Sequence, residues 1–96
     1  MDIKEKATAE KIVKKIPVDE IRVALINEYR RRLIRYNLVD ASMRNKYGMD
    51  FNKFESGNVV KAKKFSWDVE SDAMEWEHAL EGSRYAEIKL KELEKL

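Results

Sequence analysis

The chain has no cysteine, a single proline, a single histidine and only three glycines among its 96 residues. Without cysteine there are no disulfides, no thiolate nucleophile and no sulfur ligand for a metal. Such a chain suits a reducing compartment, and a cytoplasmic location is expected. The glycines stand far apart, at 48, 57 and 82, so no glycine-rich loop can cradle a phosphate. No apolar run approaches the roughly 20 residues needed to span a bilayer. The opening MDIKEKATAE has no apolar stretch of the kind a signal peptide carries. No membrane association is expected.

Charge, by contrast, is plentiful. Twenty Lys and Arg face 18 Asp and Glu, 40% of the chain, for a net +2. Mixed signs at that density describe a solvated surface rather than a polyelectrolyte. Abundant Lys and Glu without Cys also has a thermophile flavour. The length fits one domain over residues 1–96. A chain this short buries roughly 60–70% of its unfolded surface, so its apolar residues must be used well or shared with another chain.

The breakers divide the sequence into helical segments. Pro17 separates a short helix at about residues 7–16 from a long one. "PVDE" opens that second helix, with Asp19 and Glu20 favourable at the positive end of its dipole. Val18, Leu25, Tyr29, Leu33, Tyr36, Met43 and Tyr47 recur at helical steps, and Gly48 stops the run as a left-handed cap. The pattern predicts a helix over residues 18–47. Val23, Ile26, Ile34 and Ala41 lie to one side of the stripe, so this central helix has apolar surface for more than one neighbour.

"MDFNKFESG" predicts a short helical turn near residues 50–56, capped by Asp50 and ended by Gly57. "NVVKAKKF", residues 58–65, is expected to be an extended loop, since no second strand exists to pair with it. Ser66 is the expected N-cap of a last helix over residues 66–95, which Gly82 and Ser83 would loosen midway. The expected fold is all-α, a small bundle of three helices plus a turn. Leu25, Tyr29, Leu33 and Tyr36 are expected to pack against Val69, Trp76 and Leu80.

The charges are unevenly placed. Residues 18–47 hold seven Lys and Arg against four Asp and Glu, whereas residues 65–81 hold six acids and no Lys or Arg. Antiparallel packing would set the acids against the C-terminal half of the central helix.

Chemistry finds little support. Glu75 and His78 have the Glu-x-x-His spacing of di-iron bundles, with Glu28 as a conceivable third ligand. His78 is the only histidine, so a full site would need a second chain. The plainer reading is a surface histidine among solvated acids, and no metal or cofactor is expected. The serines lack the strand-turn-helix elbow of a nucleophile. Asp72 and Glu75 share a helix face without a cleft to raise either pKa. No catalytic residue is expected and the protein is read as a non-enzyme.

"RRRLIR", residues 30–35, invites nucleic acid. Consecutive arginines on a helix fan through about 200°, however, so only Arg31 and Arg35 stand together. Opposing it is a solvated, ion-paired face. The last helix carries the sharper signal. Trp67, Met74, Tyr85 and Ile88 line its second apolar face, with Glu75 and Glu77 among the acids beside them. Two readings stand: residues 7–16 cover this strip as ordinary core, or a partner protein does. In the second case the acids would favour a basic partner.

The stretch "YNLVDASMRNKYGMDFNKFESGNVVKAKKFSWDVESDAMEWEHALEG" resembles a family of small, mostly uncharacterised archaeal and cyanobacterial proteins. Its outline is an arginine-rich helix, then "KYGM-F--FE", then a "VESD---WE" helix, covering roughly residues 28–94. The resemblance implies an antitoxin-like protein, the binder of a small toxin-like partner, and carries over no catalytic or ligand residue. No ribbon-helix-helix or helix-turn-helix pattern accompanies it. The expected function is therefore protein binding, possible as a homodimer, with nucleic-acid binding through Arg31 and Arg35 as the alternative.

Overall fold

A computed structural model describes residues 2–96. These are all-helical, with no strand among them, as the breakers and periodicity predicted. Five helices are present rather than three and a turn: α1 (Ile3–Lys14), α2 (Val18–Tyr47), α3 (Phe51–Ser56), α4 (Val59–Ala62) and α5 (Trp67–Glu94). Three of them are long.

The ends of the helices follow local chemistry. α1 begins four residues earlier than its apolar face suggests because the Asp2 carboxylate accepts the Glu5 N–H at 2.8 Å. Gly48 adopts φ 68° and its N–H returns to the Arg44 carbonyl, ending α2 where expected. Asp50 caps α3 by accepting the Lys53 N–H at 2.9 Å. Ser66 occupies the N-cap position of α5, but its side chain makes no capping bond.

Residues 58–65 depart from the expected extended loop. Asn58 turns left-handed, one helical turn follows, and Lys64 and Phe65 turn left-handed again. A positive φ at a bulky residue such as Phe65 is a strained conformation that surrounding structure must hold. Val59 and Val60, strand-like by propensity, are instead drawn into one helical turn by packing against the core.

α2 and α5 form a long antiparallel hairpin that α3 and α4 close at one end. The core sits at that closed end: Met43, Phe54, Val69 and Trp76, with Tyr47, Phe51, Val59 and Leu80 packed around them. Trp76 is fully buried, its ring 5.1 Å from Phe54 and 5.3 Å from Phe51. Its indole N–H donates to Asp40 at 2.8 Å.

The register corrects one expectation. Trp76 faces Asp40, Met43 and Tyr47, not the first half of α2. Tyr36 lies over Gly82, Tyr29 meets the Tyr85 ring at 6.0 Å, and Leu25 sits near Leu93 and Leu96. Half-buried Tyr36 and Tyr29 and the more exposed Leu25 therefore face the C-terminal half of α5. Small residues, Ala79, Gly82 and Ala86, let the helices approach there. Gly82 does not loosen α5, which runs unbroken. A Cβ at that position would stand 2.5 Å from Tyr36 Cζ, so glycine is what admits the tyrosine ring.

α1 is not a third member of a packed bundle. None of its residues is buried, and Ile3, Ile12 and Val13 are at least half exposed. The molecule measures 55 × 31 × 17 Å, with a radius of gyration of 18.6 Å. A compact chain of this length would have about 12–13 Å.

Candidate protein-binding surface

The strip on the outer face of α5 is open. Trp67 is 79% exposed and Met74 73%, and Tyr85 and Ile88 are each about half exposed. α5 turns its other face, Val69, Trp76, Ala79 and Ala86, inward. Helical periodicity then leaves Trp67 and Met74, about half a turn away, facing water.

At the closed end the strip continues into a feature that periodicity did not find. Phe65, 59% exposed on its strained backbone, stands beside a cleft of about 330 Å³. Phe51, Phe54, Val59, Val60, Ala73 and Met74 line it, with Glu55, Lys61 and Glu77 at its margin. Phe65 and the valines fell in the segment expected to be loop, so the only available signal was their apolar character next to Trp67. The other end of the strip is tied into the fold. The Tyr85 ring meets Tyr29 edge-on, and Lys89 lies over it at 5.5 Å while bonding Glu92.

The acids near the strip divide into two groups. Asp72 belongs to the fold: it accepts from Lys46 Nζ at 2.6 Å and from the Tyr47 hydroxyl at 2.5 Å. Partial burial acts to raise its pKa, but the hydrogen bonds from Lys46 and Tyr47 outweigh it and hold the carboxyl below its ordinary value. Burial, and then the same hydrogen bond, push the Tyr47 hydroxyl up to about 12. The antiparallel packing thus brings acid of α5 against the C-terminal half of α2, as the charge distribution suggested. Glu70, Glu75, Glu77 and Glu81 are different. None of them has an ion-pair partner among the described residues. Glu75, Glu77 and Glu81 are exposed.

His78 is also exposed and meets Tyr36 edge-on at 6.0 Å. No group of three His, Asp or Glu placed to hold a metal ion occurs among the described residues. Glu28, the conceivable third ligand, is engaged by Arg31 and Arg32 at 2.9 Å each. Those hydrogen bonds, Arg31 first, hold its carboxyl below the usual range.

On α2, Arg31 is therefore tied to an acid of its own helix, while Arg35 is exposed and has no ion pair among the described residues. Arg32 lies over the Tyr29 ring at 5.2 Å. Val23, Ile34 and Leu38 are further exposed apolar residues of this helix. No described helix is long and apolar enough to cross a membrane. No family model, no curated protein and no solved structure matches the chain.

Proposed function

We propose that this protein is a non-enzymatic protein-binding module that works through the outer face of α5. The observation behind this reading is the open run Phe65, Trp67 and Met74 beside an apolar cleft, bordered by carboxylates with no ion-pair partner among the described residues. Exposed aromatics and methionine at helical spacing supply binding energy once desolvated, because each brings a large apolar area at modest entropic cost. The carboxylates keep the surface hydrated when free and favour a basic partner during encounter. A basic amphipathic segment fits both features.

The narrower form of the proposal makes the partner a small toxin-like protein and this chain its antitoxin-like counterpart. It rests on the resemblance over residues 28–94. Nucleic-acid binding through Arg31 and Arg35 has less behind it, since Glu28 already occupies Arg31.

The test uses a partner copurified from the native cell and identified by mass. Trp67→Ala should abolish binding. Glu75→Gln with Glu77→Gln should slow association and flatten its salt dependence while leaving dissociation nearly unchanged. Binding that survives Trp67→Ala undiminished refutes the strip. A low-salt gel shift that the parent gives and the Arg31→Ala, Arg35→Ala double variant loses would favour nucleic acid, and it should fade steeply with salt.

A further inference from the structure

The isolated chain leaves too much surface uncovered. Its accessible area is 7732 Å². A compact protein of 11.4 kDa exposes about 5,800 Å². The excess, about 1,900 Å², is more than twice the roughly 800 Å² that each partner contributes to an ordinary stable interface. Two of its sources are the unpacked α1 and the open α5 strip.

We propose that two copies of this chain exchange their N-terminal helices, α1 of each lying on the Trp67–Met74 end of the other's α5. The inference rests on the reading of the strip as a protein-binding surface and names its occupant in the free protein. The exchange is reciprocal, so it closes into a two-fold dimer and leaves no unsatisfied copy of either surface.

The dimensions match. On α1, Ala9, Ile12 and Val13, followed by Ile16, make one apolar face about 10 Å long. Trp67 and Met74, seven residues apart on α5, span the same length. The charges match as well. Residues 2–16 carry five Lys against Asp2, Glu5 and Glu10, a net positive charge, and none of these eight has an ion pair among the described residues. Glu70 and Glu77 flank the α5 strip in the same condition.

The same chain cannot make this contact. α1 joins α2 at the open end of the hairpin, level with the C-terminus of α5. From Glu94 back to Met74 is about 30 Å along the helix, and to Trp67 about 40 Å. The apolar face of α1 begins at Ala9. Folded back through residues 15–17, it reaches only about 20 Å. Ile88 and Tyr85 are near that limit, whereas Met74 and Trp67 lie well beyond it. A second hairpin running antiparallel alongside brings its own open end, and so its α1, to them. An external basic partner seated at the same place would have to displace that helix.

The absence of cysteine makes the contact directly readable. Chains carrying Ile12→Cys and chains carrying Met74→Cys are mixed and mildly oxidised. Both sites are exposed in the single chain, so neither change should disturb folding. The mixture should give a disulfide-linked dimer at least tenfold more abundant than either variant alone. In sedimentation, the parent should be a dimer, and Ile12→Glu with Val13→Glu should weaken self-association at least tenfold while its helical circular dichroism is retained. A monomeric parent, or a dimer in which the mixture cross-links no better than its components, overturns the exchange. The two proposals separate: an absent dimer with an external partner still lost in Trp67→Ala refutes only the exchange. A cross-linked dimer whose external partner ignores Trp67→Ala refutes only the external use of the strip.

Discussion

Trp76 ties the closed end of the hairpin together. Its ring fills the closed end between Phe51, Phe54 and Tyr47, and its N–H holds Asp40, which also pairs with Arg44. Trp76→Ala removes that volume and the indole donor to Asp40 Oδ1, so we expect a loss of about 3–5 kcal/mol in urea unfolding. Trp76→Phe keeps most of the apolar volume and loses the bond to a charged acceptor, for about 1.5–3 kcal/mol. Asp72 is the second focus at this scale. Lys46 and Tyr47 favour its ionised form in the fold, so its folded pKa lies below its unfolded value. That contribution is fully present above the unfolded pKa of about 3.9 and is lost as pH falls through the folded value. Asp72→Asn should therefore unfold at lower urea than the parent at pH 7. The gap in midpoints should close as the pH falls below about 4; a constant gap down to pH 2 would mean that the charge on Asp72 is not what matters.

Among the elements, the α2–α5 seam shows how a helix-weakening residue can serve packing. Alanine is about 1 kcal/mol better than glycine in a helix interior. Gly82→Ala should nonetheless destabilise, by about 1–3 kcal/mol, because its Cβ would meet the Tyr36 ring. In a Tyr36→Ala background the same change should turn neutral or stabilising. This double-mutant cycle distinguishes close approach from propensity. An equal cost in both backgrounds would place the penalty outside the Tyr36 contact.

For the molecule as a whole, size and shape disagree in an informative way. The unfolded chain would expose about 1.45 Å² per dalton. Against that reference the folded chain, at 7732 Å², buries only about half its surface, less than the 60–70% expected for its length. Among the described residues, seven hydrophobic ones are buried. An extended hairpin with so small a core gains by association, and association makes thermal stability depend on protein concentration by mass action. The melting temperature should rise on going from about 1 to 100 μM in the parent. It should stay flat in the Ile12→Glu, Val13→Glu variant. A parent that melts at one temperature across that range would show that the single hairpin is stable by itself.

The two long helices, the turn at Phe51–Ser56 and the caps that bound them were legible in the sequence, whereas α4 and the early start of α1 were not. Gly48, Asp50, Gly57 and Pro17 act on residues one to four away, and such local chemistry depends on no distant contact. The two faces of α5 were legible for the same reason, since periodicity places Trp67 and Met74 opposite Val69 and Trp76 whatever the neighbours are. Three things depended on contacts between segments remote in the chain. The register of α2 against α5 was decided by which side chains fit: Trp76 needed the wide pocket that Phe51 and Phe54 complete, and Tyr36 needed the gap at Gly82. The helical turn at Val59–Ala62 arose because the core drew in two valines whose intrinsic preference is extended. Whether α1 covers the strip turned on distance: residues 15–17 tether it to the open end of a hairpin about 45 Å long. Amphipathic pattern records that a face is apolar, but the tertiary structure alone decides whether the matching face can reach it.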